Sequence, residues 1–123
     1  MRILIADDNT VVRVDLRAIL GELGHTVCGE AHDGFDAVEL AGALRPDVAV
    51  LDVRMPRLHG VEAVRRIVRA RPIPIVIVTG YTNYTLPDLA AAVGVSSSYL
   101  IKPFAERDVE LALVETLARR APA

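Results

Sequence analysis

Two spacings of apolar residues alternate along the chain, and they predict different backbones. Short runs rich in Val and Ile fall at 2–6, 25–30, 48–51, 75–78 and 98–101. Several are apolar at every position, the pattern of strands covered on both faces. Between them, apolar residues recur at three- and four-residue intervals, which marks one face of a helix. Val12, Leu16, Ile19, Leu20 and Leu23 do so over 10–23, with Gly24 just past the end to close the helix. Phe35, Val38, Leu40 and Ala41 do so over 33–44, and Pro46 lies beyond. Over 60–70 the stripe is Val61, Val64, Ile67 and Val68, with Arg65, Arg66 and Arg69 on the other faces. Over 106–120 it is Val109, Leu113, Val114 and Leu117, and Arg119 and Arg120 suit the negative end of the helix dipole.

The stretch between the fourth and fifth strands is the least regular. Proline is excluded from a helix interior, so Pro87 delays the helix there. Thr85 is then its N-cap and Asp88 its third residue, with 86–93 helical after a loop over 80–84. Five β-α units with short connections imply a parallel sheet with helices on both faces. The predicted fold class is a three-layer α/β/α, doubly wound (βα)5 domain. It occupies residues 1–120, with 121–123 as a tail and no output domain.

Composition narrows the class. At 123 residues, 52% hydrophobic and 24% charged, the chain is long and apolar enough to bury a core. A net charge of −2, with cations scattered among acids, offers no overall footprint for nucleic acid. No apolar run approaches the roughly 18 residues of a membrane span, and only four separate Arg2 from the first acids, which argues against a leader. Cys28 is the only cysteine, so no intrachain disulfide can form; it reads as a small core residue. A cytoplasmic protein is expected. His25, His32 and His59 have no metal-ligand spacing and read as solvated loop residues.

The candidate chemistry lies where the strands end, because open parallel sheets gather ligands outside the carboxyl ends of their strands. Asp7 and Asp8 follow the first strand, Asp52 the third, Thr79 the fourth and Lys102 the fifth. Taken singly each has an ordinary reading: Asp8 as a helix N-cap, Thr79 as a strand-end hydroxyl, Lys102 as a solvated lysine. Together they place three acids, a hydroxyl and a lysine on one rim. Oxygen ligands from Asp8 and Asp52, helped by a carbonyl and waters, suit octahedral Mg²⁺, with Mn²⁺ as a substitute. A cation there offsets the repulsion among the acids and can hold a phosphoryl group. One carboxylate can then act as nucleophile toward phosphorus, with Lys102 and Thr79 meeting the developing charge.

Four stretches carry a family resemblance over essentially the whole chain: IADDN at 5–9, LDVRMPRLHG at 51–60, VTG at 78–80 and YLIKPF at 99–104. The chain resembles the receiver domains of two-component response regulators, the second stretch matching their D-x-x-M-P-x-x-x-G pattern. The resemblance implies a flavodoxin-like sheet of order 2-1-3-4-5. It implies that Asp52 is the phosphoacceptor, loaded by a sensor histidine kinase or phosphotransfer protein. Asp8 and Asp52 would bind Mg²⁺ directly, Asp7 through water, and the Arg54 carbonyl would complete the protein ligands. Thr79 would be the switch hydroxyl, Tyr99 the switch aromatic, and Lys102 the phosphate-binding lysine before a cis bond to Pro103. Phosphorylation would change the surface made by the 86–93 helix, the fifth strand and the last helix, addressing an output domain, an effector or a homodimer partner, without direct nucleic-acid or membrane binding. The wider texture, GEAHDGFDAVELA and IPIVIVTGY, is similar to receivers that precede RNA-binding antiterminator domains.

Arg54, two residues after Asp52, puts a long cation at the mouth of the site. The short 85–95 segment departs from the usual dimer-forming helix. Three other functions use the same architecture. A flavin-binding electron carrier would need a Ser/Thr/Gly-rich phosphate loop where Asp7 and Asp8 stand. An aspartyl-phosphate hydrolase would place an acid at position 54. A phosphorylation-independent interaction domain would not require the five site residues. The receiver reading accounts for all of them, as a signalling domain that catalyses only its own phosphorylation and slow dephosphorylation.

Overall fold

A computed structural model describes residues 1–55, 57–80 and 97–118. Every apolar run becomes a strand: β1 (Arg2–Ala6), β2 (Thr26–Ala31), β3 (Val48–Asp52), β4 (Ile75–Thr79) and β5 (Ser97–Ile101). The described helices are α1 (Thr10–Glu22), α2 (Gly34–Leu44), α3 (Gly60–Ala70) and α4 (Glu106–Ala118). All strand pairs are parallel, in the order β2-β1-β3-β4-β5. The helix expected over 86–93, most of the 80–84 loop before it, and residues 119–123 lie outside the described residues.

The sheet is covered on both sides because successive side chains of a strand point to opposite faces. Leu4, Ala6, Ala49, Leu51, Ile75 and Ile77 face one way and pack with Ala37 and Ala41 of α2 and Ala63, Val64 and Ile67 of α3. Ile3, Ile5, Val48, Val50, Val76, Val78 and Leu100 face the other and pack with Leu16 and Leu20 of α1 and Val109, Ala112 and Leu113 of α4. β1, β3 and β4 are central, which explains why their runs are apolar at alternate and intervening positions alike. The two buried hydroxyls on the α4 side bond backbone carbonyls: Ser98 Oγ donates to Ala112 O at 2.6 Å, and Thr116 Oγ1 to Ile75 O at 2.9 Å. They tie the last helix to the sheet without leaving a polar group unsatisfied.

Two expectations are corrected. Cys28 is half-buried rather than a core residue. It falls where the β1–β2 register slips, Ile3 pairing with Val27 and Leu4 with Gly29, so it is the extra residue of a bulge. The histidines are not uniformly solvated. His25 is half-buried, its Nδ1 accepting from the N-terminal amine at 3.2 Å. His59 is the N-cap of α3, its Nδ1 accepting from the Val61 N–H at 3.2 Å. His59 and His32 are exposed as expected, and His32 pairs with Asp36 at 3.1 Å.

Candidate functional site

Asp7 is positioned by its backbone. Its N–H donates to Ala31 O at 3.1 Å, and Arg13 reaches back from α1 to donate to its carbonyl at 2.6 Å. The carboxylate is thereby held inside, fully buried, where it accepts the Asn9 N–H at 2.9 Å. Asp8, next along the chain, is exposed. It is not the N-cap of α1: Asn9 is, with its Oδ1 accepting from Val11 and Val12. Asp8 thus keeps its carboxylate for the rim.

Asp52 ends β3, the middle strand, and is buried. Its Oδ1 accepts the Arg54 N–H at 3.0 Å, which folds the following loop over the strand end. Its Oδ2 accepts from Lys102 Nζ at 2.8 Å. The same Nζ lies 3.0 Å from Asp7 Oδ2, an ion pair without the alignment of a hydrogen bond. Lys102 is held there by its own N–H, which donates to Thr79 O at 2.8 Å; the peptide bond that follows it, to Pro103, is cis. Thr79 ends β4 beside Asp52's neighbour Val53, whose N–H donates to Val78 O at 3.1 Å. The Thr79 hydroxyl is buried with no hydrogen-bond partner.

Carboxylate oxygens of Asp7, Asp8 and Asp52 lie within 4.8 Å of one another. Burial, with the Asp52 charge adding to it, outweighs the Asn9 and Lys102 contacts and pushes the Asp7 carboxyl up from 3.8 to about 6. Burial works to lower the Lys102 ammonium, but the Asp52 hydrogen bond and the close carboxylates of Asp52 and Asp7 prevail and hold it above its ordinary value. One lysine therefore serves two acids, and the third acid has none of it. An all-oxygen, hard-ligand cluster with a destabilised carboxyl fits Mg²⁺.

All three acids, Thr79 and Lys102 meet at this rim. Tyr99 does not join them: it is half-buried against the α2–α3 side of the core, its hydroxyl enclosed without a partner. The Arg54 side chain is exposed, while its backbone stays within the site.

Asp33 opens the helical stretch expected over 33–44, but the sequence assigns it no contact at the site. It is the N-cap of α2, its Oδ1 accepting the Asp36 N–H at 2.8 Å, and its Oδ2 pairs with Arg57 at 3.1 Å. The signal was present, since an Asp immediately before a helical apolar stripe is a start signal. The Asp36 N–H bond and the Arg57 and His32 charges hold its carboxyl below the usual 3.8 despite its burial. Such a group stabilises the fold above its unfolded value and ceases to as pH falls through its folded value. Asp33→Asn keeps a capping oxygen but loses the charge pair. Its melting temperature should lie below the parent's at pH 7, with the gap closing below about pH 4. Parallel melting curves across that range would refute the assignment.

The fold and site define a flavodoxin-like domain with three clustered acids at one rim. The chain matches the model of the response regulator receiver domain over residues 3–114, and it belongs to that family. It is 40% identical over 118 residues to the transcriptional regulatory protein PdtaR of Mycobacterium tuberculosis (strain ATCC 25618 / H37Rv), covering 96% of this chain and 57% of PdtaR. It is 32% identical over 103 residues to the chemotaxis protein CheY of Thermotoga maritima, covering 84% of this chain and 86% of CheY. Among solved structures, the response regulator domain of Thermotoga maritima CheB superposes with a TM-score of 0.81 at 28% identity, covering 100% and 98% of the two chains. A LuxR-family response regulator from Aurantimonas sp. SI85-9A1 gives 0.84 at 29%, covering 98% and 88%. The chain thus spans little more than half of PdtaR's length. Its function is that of a receiver in two-component phosphoacceptor signalling. Receiver domains bind Mg²⁺ at an acidic cluster, and Asp7, Asp8 and Asp52 form such a cluster here. No described helix is long and apolar enough to cross a membrane.

Proposed function

We propose that Asp52 is the phosphoacceptor and that Asp7, Asp8, Asp52 and the Arg54 carbonyl hold Mg²⁺ beside it. The supporting observation is that Asp52, a member of the acid cluster at the end of the middle strand, accepts a hydrogen bond from Lys102 Nζ at 2.8 Å. Mg²⁺, when bound, supplies positive charge against the transferring phosphoryl group. An Asp52 oxygen attacks phosphorus as the P–N bond of a donor phosphohistidine breaks, and the bonding pair returns to the imidazole. Asp52 cannot keep its Lys102 contact unchanged once it carries the phosphoryl group. The ammonium then turns to a phosphoryl oxygen, which offers more charge than the esterified carboxylate. The Thr79 hydroxyl, buried and unpartnered, donates to another. Satisfying it removes the cost of an enclosed polar group, so phosphorylation favours whatever loop position brings Thr79 close.

Tyr99 and the β5–α4 surface carry the readout, Tyr99 as switch aromatic beside the moving strand end. The donor is a sensor histidine kinase or a phosphotransfer protein, and the recipient of the signal is an output domain, an effector or a second copy. The phosphorylation takes place in the cytoplasm, and the domain turns over no substrate but its own aspartyl phosphate.

Acetyl phosphate with Mg²⁺ should add one phosphoryl mass to the protein, located on Asp52 by peptide mapping. Asp52→Asn should abolish the addition, and Lys102→Ala should slow it by roughly 10²-fold, the scale of one charge-stabilising donor. Equal labelling of Asp52→Asn and parent would overturn the assignment.

A further inference from the structure

The opposite end of the molecule carries a second feature. Helices α2 and α3 run back from the rim, so their C-terminal ends lie by the amino ends of the strands, opposite Asp52. A cleft of about 180 Å³ opens between those ends. Val38, Ala41, Ile67 and Ile73 form its apolar walls, and Arg45, Arg66 and Arg71 stand around it. Among the described residues no acid lines it. An apolar cavity of roughly 150 Å³ accommodates benzene, so this one accommodates a Leu- or Phe-sized side chain.

Three arginines, Arg45, Arg66 and Arg71, line this one cleft, in a chain whose net charge is −2. One of them is held at a backbone cost: Arg45 has φ 48°, in the left-handed region. Arg45 is the C-cap of α2, a position that glycine or asparagine fills without a Cβ clash. Keeping arginine there sacrifices local stability and retains a guanidinium at the cleft.

The remaining two guanidinium groups are oriented but not used up. Arg71 donates to Pro46 O, and Arg66 lies 5.7 Å over the Phe35 ring with Glu62 at 3.4 Å. Each guanidinium has five donors, and a half-exposed pair such as Arg66–Glu62 is readily exchanged for another. At the cleft mouth stands Gly42, where an added Cβ would meet nothing within 4 Å. The fold itself does not need a glycine there, and a larger side chain would narrow the opening.

We infer that the α2–α3 cleft docks an acidic segment of a partner protein, which inserts one large apolar side chain between the helices and sets carboxylates against Arg45, Arg66 and Arg71. Arginine forks match carboxylates in two-point contact, which supplies orientation. Nucleic acid would meet the same cations but leave the apolar walls unfilled. Because the cleft is remote from Asp52, docking is independent of phosphorylation and tethers the partner in both signalling states.

The test is a titration of the full chain, followed by amide ¹H–¹⁵N spectra, with a synthetic Glu/Asp peptide carrying one central Phe. The same peptide with Phe replaced by Ser and a mixed-sequence single-stranded RNA are the comparison probes. Shifts should map to residues 38–45 and 66–73, and the Ser peptide should bind roughly tenfold more weakly. Gly42→Leu should block the Phe peptide. Arg45→Gly should weaken it while leaving the melting temperature equal to or above the parent's. Asp52→Asn should bind it as the parent does, which separates this inference from the phosphoacceptor assignment. No shifts at the cleft, equal binding of the two peptides, or RNA shifts there that Gly42→Leu leaves intact would each overturn the proposal.

Discussion

Gly60→Ala should melt roughly 10 °C or more below the parent and lose most of its phosphorylation rate, because overpacking at a rigid site costs about 3 kcal/mol. A Cβ at position 60 would lie 2.2 Å from Asp52 O, 2.7 Å from Val53 Cα and 2.9 Å from Val53 O. Those atoms are backbone, and they belong to the end of β3. They cannot swing aside as a side-chain tip can, and the Gly60 N–H is itself bonded to Val53 O at 3.0 Å. The methyl group must therefore push α3 away from the strand or bend the strand that presents Asp52. Either movement displaces the carboxylate from Lys102 and from the acid cluster. Gly34 is held in the same way, its virtual Cβ 2.0 Å from Leu58 O, so the loop between β3 and α3 is pinned at both neighbouring helix starts. Gly42→Ala is the matched control. With nothing within 4 Å, it should be neutral or stabilising by about 1 kcal/mol, as expected for removing a glycine from a helix. Calorimetry on the pair decides the matter: if Gly60→Ala melts within two or three degrees of Gly42→Ala, the close approach is not a constraint.

The second large effect is electrostatic and has a defined pH window. The Asp7 carboxyl titrates near 6 in the folded chain against 3.8 for an ordinary one, chiefly because it is buried and secondarily because Asp52 faces it. Between those values the folded state binds more protons than the unfolded state, so stability falls as pH rises. Below about pH 4 both states are protonated and the penalty is absent; above about pH 6 it is present in full. Its size is on the order of 3 kcal/mol at neutral pH, from the separation of the two values. Asp33 contributes the opposite slope, but below its ordinary 3.8, so the two windows do not overlap. Asp7→Asn should therefore flatten the pH dependence of the metal-free protein between 4 and 6 and raise its melting temperature above pH 6. Millimolar Mg²⁺ should raise the parent's melting temperature in that same range by binding the folded state. Asp8→Ala, which removes the exposed member of the cluster, should abolish the gain. Identical slopes for Asp7→Asn and parent would show that the buried carboxyl is not under strain.

The two results address different parts of one design. A glycine contact fixes where Asp52 stands, and the unfavourable charge arrangement is what the proposed cation and phosphoryl group would relieve. A rim whose charges were fully paired would gain nothing from either. Lys102 alone cannot neutralise Asp7, Asp8 and Asp52, and that imbalance is what leaves work for Mg²⁺.

Much of this protein follows from its sequence alone, because the determining features are local or periodic. The strands at Arg2–Ala6 and Gly60–Ala70's helical stripe are set by side-chain periods that the backbone imposes. The parallel order follows from alternating β and α units, and the convergence of Asp7, Asp8, Asp52, Thr79 and Lys102 was legible because each stands at or just past the carboxyl end of a strand. Other features depend on which residues the fold brings together across long separations. That Lys102 lies on Asp7 and Asp52, that Asp33 meets Arg57, and that Gly60 and Gly34 touch backbone are contacts between segments far apart in the chain. The bulge at Cys28 depends on the register of β1 against β2, and the N-cap at Asn9 rather than Asp8 on the extended Asn9 backbone that turns its Oδ1 to the Val11 and Val12 N–H groups. The arginine-rimmed cleft exists only because the ends of α2 and α3 converge, an arrangement that net charge conceals. A periodic pattern specifies which face of an element is buried. The distance between two side chains on different elements is set by packing, and only the tertiary structure contains it.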